Sequence, residues 1–200
     1  MSTSATRRRA YHHGNLRASI LRAAGRLLEW KGLAALSVRA AARRAGVSHS
    51  APYRHFPDRE SLLAALAAEG FRTLDRALRE AGAGGGLRAP GEAYVRFALA
   101  NPQCFRLMFG GDVRIRRDRA LAEAATRVVE RLSQAFTSQL PEPAGQDASI
   151  AAWSLVHGLA LLLLDDKVAE AARRGREPEV FVRAVLSSIR FAARAPQPSA

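Results

Sequence analysis

The side chains able to do acid–base, nucleophilic or metal chemistry are few and scattered along this 200-residue chain. His12 and His13 are adjacent, His49 and His55 are six apart, and His157 stands alone in the second half. No pair has the spacing that sets two metal donors on one helical face. The single cysteine, Cys104, excludes both an intramolecular disulfide and a cysteine-built zinc site. Neither a metal nor another cofactor is expected. Asp165, Asp166 and Glu170 can be imagined as catalytic carboxylates, and a small hydrolase using His157 with Asp165 or Asp166 is one reading. On a single helix, however, His157 and Asp165 would stand about 12 Å apart along the axis. Lys167 also lies among the acids. A solvated helix turn accounts for them better, and no enzyme activity is expected.

The chemistry that remains is recognition by charge. Of 31 Lys+Arg and 18 Asp+Glu, residues 1–60 hold 12 and 3, a net of +9, and the other 140 residues hold 19 and 15, a net of +4. A basic end of this kind is the electrostatic footprint of nucleic-acid binding, although an Arg-rich soluble surface gives a milder version of it. With 48% hydrophobic and 24% charged residues, the composition is that of an ordered globular chain. Its length suits one domain or a small head on a larger body. The first ten residues lack the apolar core of a signal peptide. Ile150 to Leu164, the most apolar stretch, contains Ser154, His157 and Gly158 and is shorter than the roughly 20 residues that span a bilayer. No membrane segment is expected, and a reduced cytoplasm fits best.

Helices must position whatever these charges recognise, because apolar residues recur at helical spacing and no alternating β-branched run appears. An all-α fold of about nine helices follows. The first is expected over about 16–31, capped by Asn15 and stopped at Gly32, with Leu16, Ile20, Ala24, Leu27 and Leu28 on one face. A short second helix follows Ser37 and ends at Gly46, a third runs from His49 to about Phe56, and Asp58 caps a long fourth. The glycine-rich stretch Ala81 to Gly91 reads as an exposed loop. Beyond it, helices are expected near 91–100, 102–109, 118–139, 147–173 and 178–193.

Two short helices joined through Ala45-Gly46-Val47-Ser48 make a helix-turn-helix pattern, whose second helix would enter a major groove. The whole run GLAALSVRAAARRAGVSHSAPYRHFPDRESLL, residues 32–63, resembles the N-terminal domain of the TetR family of bacterial transcriptional regulators. The Gly-Val-Ser turn, then Tyr53, His55 and Phe56, then a basic-acidic pair before leucines, carry most of the likeness. Trp153, His157 and Gly158 are similar to the signature of the WHG group of TetR-type C-terminal domains. Tyr94 to Ala98, Asn101-Pro102 and Phe105 to Phe109 are similar to that group as well. Four positions depart from the usual pattern. Ser37 stands where Thr is commoner, Ser50 where glycine is frequent, and Arg59 where Lys is usual. Pro52 replaces a larger aliphatic; lacking an N–H, it suits only a first helical turn, so the recognition helix should begin late.

The resemblance implies a homodimer paired through its last two helices, a helix-turn-helix DNA-binding domain over 1–60, and a ligand-binding and dimerisation domain over 61–200. It places Tyr53, His55 and Arg59 at phosphate contacts, and Ser37, Arg39, Ser48, His49, Ser50 and Ala51 where bases or phosphates are reached. Arg7, Arg8 and Arg9 would suit a minor-groove arm or a solvated tail equally. Tyr94, Phe97, Phe105, Met108, Phe109, Trp153 and His157 could line a cavity for a small, mostly apolar effector, or fill a core. His157 lies one turn from Trp153, and as a lone histidine in an apolar helix it reads first as a hydrogen-bonded core residue. The function so implied is a repressor released from operator DNA by a small molecule. An architectural DNA-binding protein without an effector is the alternative, and the hydrolase ranks last.

Overall fold

The computed structural model describes residues 13–48, 50–82, 88–137 and 144–188. The helices are α1 (His13–Lys31), α2 (Val38–Ala45), α3 (Arg59–Gly82), α4 (Arg88–Ala100), α5 (Pro102–Phe109), α6 (Arg119–Thr137), α7 (Ala144–Leu164), α8 (Glu170–Arg173) and α9 (Pro178–Ser187). Among the described residues there is no β-strand, and the fold is all-α. Arg7 to Arg9, His12 and His49 lie outside the described residues.

The chain divides into two compact units. The first comprises residues to Phe71 together with Asn101–Ala124. Here the apolar face read from the sequence is the buried one: Ile20, Ala24, Leu27 and Leu28 of α1 meet Val38, Ala41 and Ala42 of α2 in a core that also holds Leu36, Phe56 and Leu62. α2 has well-made ends. The Ser37 hydroxyl accepts from Ala40 N–H at 3.1 Å. At the other end Gly46 turns left-handed at φ 70°, while Val47 N–H donates to Ala42 O and Gly46 N–H to Arg43 O. α5 belongs to this unit because Glu29 holds it there: its carboxylate accepts from Gln103 N–H at 3.1 Å and Cys104 N–H at 2.8 Å, satisfying donors that a helix start leaves open. α3 approaches α5 at Gly70, where a Cβ would lie 2.6 Å from Met108 Sδ and 2.7 Å from Cys104 Sγ.

The second unit comprises Arg72–Ala100 and residues from Ala125 onward. Its centre is α4, packed on α7 and α9, with Tyr94, Val95 and Ala98 inaccessible to solvent. Asp75 of α3 pairs with Arg131 of α6, and the buried Ser149 of α7 donates to Ser133 Oγ of α6 at 3.2 Å.

Three expected helices are corrected. α1 starts at His13, so Asn15 lies inside it and does not cap it; first-turn N–H groups have no intrahelical partner, and such starts shift easily. The third helix is a 3₁₀ segment, Ala51–Arg54, because Pro52 offers no N–H to an α-helical turn there. The expected helix 147–173 breaks at Leu164: Asp166 takes the left-handed conformation at φ 50°, Lys167 N–H donates to Leu162 O and Asp166 N–H to Leu163 O.

Candidate nucleic-acid interface and body site

Three expected DNA-reading residues meet at the start of α2. Arg59 stands at the first position of α3, whose cap is Asp58: Ser61 N–H donates to its carboxylate at 2.7 Å, and the Ser61 hydroxyl faces the Asp58 backbone. The Ser61 bonds hold the Asp58 carboxyl below the usual range. From there the Arg59 guanidinium reaches back and donates to Leu36 O and Leu33 O, both at 2.9 Å. This seats a cation on the backbone just before Ser37, the α2 cap, with the exposed Arg39 two residues further along. A helix N-terminus flanked by two guanidinium groups is suited to a phosphate. Arg59 also fastens the α2 entry to α3, a structural task its sequence position did not reveal.

Beyond the Gly46 turn, Ser48, Ser50 and Tyr53 are exposed, and Ala51 and His55 are half-buried. Pro52 and Phe56 anchor this segment in the core. Two further cations belong to the surface and were missed from sequence. Arg54 is exposed beside Tyr53, and Arg17 of α1 lies 5.3 Å over the Phe56 ring. Arg17 lies outside the matched run, and Arg54 lies within it but at none of the positions to which the resemblance gives a contact.

The seven residues expected to line a cavity divide between the units. Phe105, Met108 and Phe109 lie on α5 in the first, where Phe109 packs on Phe105 at 4.9 Å and edge-on to Phe71 at 5.3 Å between centroids. Tyr94, Phe97, Trp153 and His157 lie in the second. Tyr94, Trp153 and His157 form one hydrogen-bonded group: Trp153 Nε1–H donates to Tyr94 Oη at 3.2 Å, and Tyr94 Oη stands 2.9 Å from His157 Nδ1. Because the indole can only donate, the hydroxyl proton is left for Nδ1, an arrangement that suits a neutral imidazole protonated at Nε2. Burial lowers the His157 pKa and raises that of Tyr94, in keeping with neutral forms of both. Apart from its chain neighbours and the backbone of its own helix, no heavy atom lies within 4 Å of where a Cβ on Gly158 would stand. Phe97 borders a cavity of about 390 Å³ between α3 and α4, with Ala77, Ala93 and Arg96. Among the described residues no group of three or more His, Cys, Asp or Glu is placed to hold a metal ion.

Residues 20–66 match the family of bacterial regulatory proteins of the tetR type, and residues 87–189 match the tetracyclin repressor-like C-terminal domain. Among solved structures, a protein of unknown function from Rhodococcus sp. RHA1 is 32% identical, with 90% of this chain and 96% of that one covered at a TM-score of 0.75. A regulatory protein of the tetR family from Rhodococcus RHA1 shares 19% identity over 86% of this chain and 93% of its own, with a TM-score of 0.62. The TetR family transcriptional regulator PfmR from Thermus thermophilus shares 23% over 84% and 94%, with a TM-score of 0.59. The last two show likeness of fold alone. With its head and its body each matched, and with a capped helix, a left-handed turn and an exposed polar segment in the order that reads DNA, this chain belongs to the TetR family of DNA-binding transcriptional regulators.

Proposed function

We propose that this regulator is a homodimeric repressor, working in the cytoplasm and without enzymatic activity, that leaves its operator when a small, mostly apolar molecule binds its body. The reading rests above all on the group Tyr94–His157–Trp153, a few hydrogen-bonded polar atoms set among the buried apolar side chains Val95, Ala98, Val156 and Ala160 of α4 and α7, as sites for apolar ligands with one oriented polar function are built. Phe97, in the same unit, completes the proposed lining. Ser37, Arg39, Tyr53, His55 and Arg59 would hold phosphates, and Ser48, His49, Ser50 and Ala51 would meet bases.

Pairing through α7 and α9 has support of its own. Gly145–Leu164 is long and apolar enough to cross a membrane by length and composition, yet only 28% of its most apolar window is buried within the chain. Ile150, Leu162 and Val180 are exposed, so they offer a face for a partner helix. The mechanism is linkage. A ligand that prefers a form whose two heads misfit successive major grooves weakens operator affinity by that same preference.

The test is selection of duplexes from a random pool, followed by mobility-shift titration with Arg59→Ala and Ser50→Ala. Enrichment of a repeated half-site is expected, with Arg59→Ala weakening all duplexes and Ser50→Ala changing which is preferred. Selection without enrichment would leave the architectural reading in its place. For the effector, Gly158→Phe should abolish ligand-induced release while leaving the free protein's DNA affinity within a few-fold of wild type.

A further inference from the structure

The head holds a pocket that the DNA-reading side chains do not use. At the C-terminal end of α1, facing α2, lies a cavity of about 340 Å³ lined by Leu27, Trp30, Lys31, Ala40, Arg43 and Arg44. That volume falls within the range of small-molecule clefts, roughly 300–1,000 Å³. Trp30 is 67% exposed, more than any other large hydrophobic residue among those described. Lys31 Nζ stands 4.2 Å and Arg44 Cζ 5.5 Å from its ring centroid. Neither these two cations nor Arg43 pairs with a carboxylate among the described residues. The nearest acid in sequence, Glu29, is committed to the N–H groups that open α5. An indole and an aliphatic floor are thus ringed by three positive charges with no counter-charge, which repel one another until an anion arrives.

We propose that this pocket binds a small organic anion with a flat apolar body, of which an aryl carboxylate or sulfonate is the plainest example. The acid group pairs with the planar forks of Arg43 and Arg44, whose geometry matches two oxygens at once. The ring lies against Trp30 and the Leu27–Ala40 floor, where area and stacking reward a flat apolar surface. A backbone phosphate of DNA would use the charges but leave the indole and the floor idle. Because α2 carries the Ser37 cap at one end and Arg43 and Arg44 at the other, occupancy of the pocket and the seating of α2 on DNA are linked, and each changes the affinity of the other by the same factor.

The experiment is calorimetric titration of the full-length protein with 2-naphthoate, and with neutral 2-naphthamide beside it. One saturable site per chain is expected for the acid, weakening as salt rises. The affinity should fall about tenfold or more in Trp30→Ala, in the Arg43→Ala/Arg44→Ala double variant, and on going to the amide. Trp30 is exposed and the two arginines are solvated, so both variants keep their cores, and melting curves confirm it. Undiminished binding to either variant places the ligand elsewhere, the body included, and overturns the proposal. So does equal binding of acid and amide, or no saturable binding. A Trp30→Ala variant that binds every duplex more weakly, in a protein that ignores 2-naphthoate, assigns the patch to the DNA backbone instead.

Discussion

The two compact units differ in where their unspent polar chemistry sits. The first carries a net charge of +10 over its sequence, and Arg39, Arg43, Arg44 and Arg54 stand exposed on it without a carboxylate partner among the described residues. The second carries +3, and its distinctive polar group, Tyr94 with Trp153 and His157, is turned inward and hydrogen-bonded. A polyanion is recognised through a field that solvated charges project, whereas a small apolar molecule is recognised by polar atoms fixed in a dry wall. The contrast suggests that surface substitutions will act on the first unit's function and interior ones on the second's.

The largest expected effect tests whether the units are energetically distinct. Phe56 is 1% exposed, and Phe56→Ala should cost the first unit about 3–5 kcal/mol. Hydrogen exchange should accelerate in α1 and α2 and stay slow in α4 and α7; equal acceleration throughout would erase the division. Tyr94→Phe is next. It strips the partners from Trp153 Nε1–H and His157 Nδ1 and should destabilise the second unit by about 1–2 kcal/mol, read from denaturant unfolding. DNA affinity of the free protein should not move with it.

Ser37→Ala removes the α2 cap and should cost about 1 kcal/mol. Mobility-shift titrations should show a matching loss on all duplexes, because the helix start is what a phosphate would meet. A subtler effect is one of pH. Burial depresses the folded-state pKa of His157 below the ordinary 6.5, so the unfolded chain takes up a proton first. Its contribution is fully present above pH 6.5 and is lost as pH falls toward the folded pKa. Melting temperature should therefore drop between pH 7 and 5.5, and His157→Gln should flatten that dependence. The smallest effect belongs to Arg119→Ala, which breaks an exposed pair with Glu123 and should leave the melting curve unchanged.

How much of this was legible in the sequence depended on how a feature is encoded. The α1 face, the Ser37 and Asp58 caps and the Gly46 turn were readable because each is a local signal spanning one to four residues. The end of α7 was not. It uses the same pair of closing hydrogen bonds as α2, but the left-handed residue is Asp166, and an aspartate looks like any other surface acid in a helix. Arg59 was read as a phosphate contact from its motif, while its bonds to Leu33 and Leu36 join positions more than 20 residues apart and leave no trace in spacing. The partnership of Tyr94 with His157 is longer still, across 63 residues. In the sequence His157 read as a turn-neighbour of Trp153 and as a hydrogen-bonded core residue, with no sign of which residue its partner is.

The seating of α5 on Glu29 and Gly70 also turns Cys104 into a clock. Burial first, and then the charges of Glu29 and Glu69, push its thiol pKa up to about 12, so at pH 8 the reactive thiolate is scarce. While α5 stays docked, an alkylating reagent has almost nothing to attack. When it lifts away, the thiol returns to ordinary acidity and is trapped. This is the chain's single cysteine, so the slow rise of one mass adduct would time the opening of that contact without any engineered label. Repeating the measurement with operator DNA, or with an effector, would show which of them holds the α1–α5 contact closed for longer.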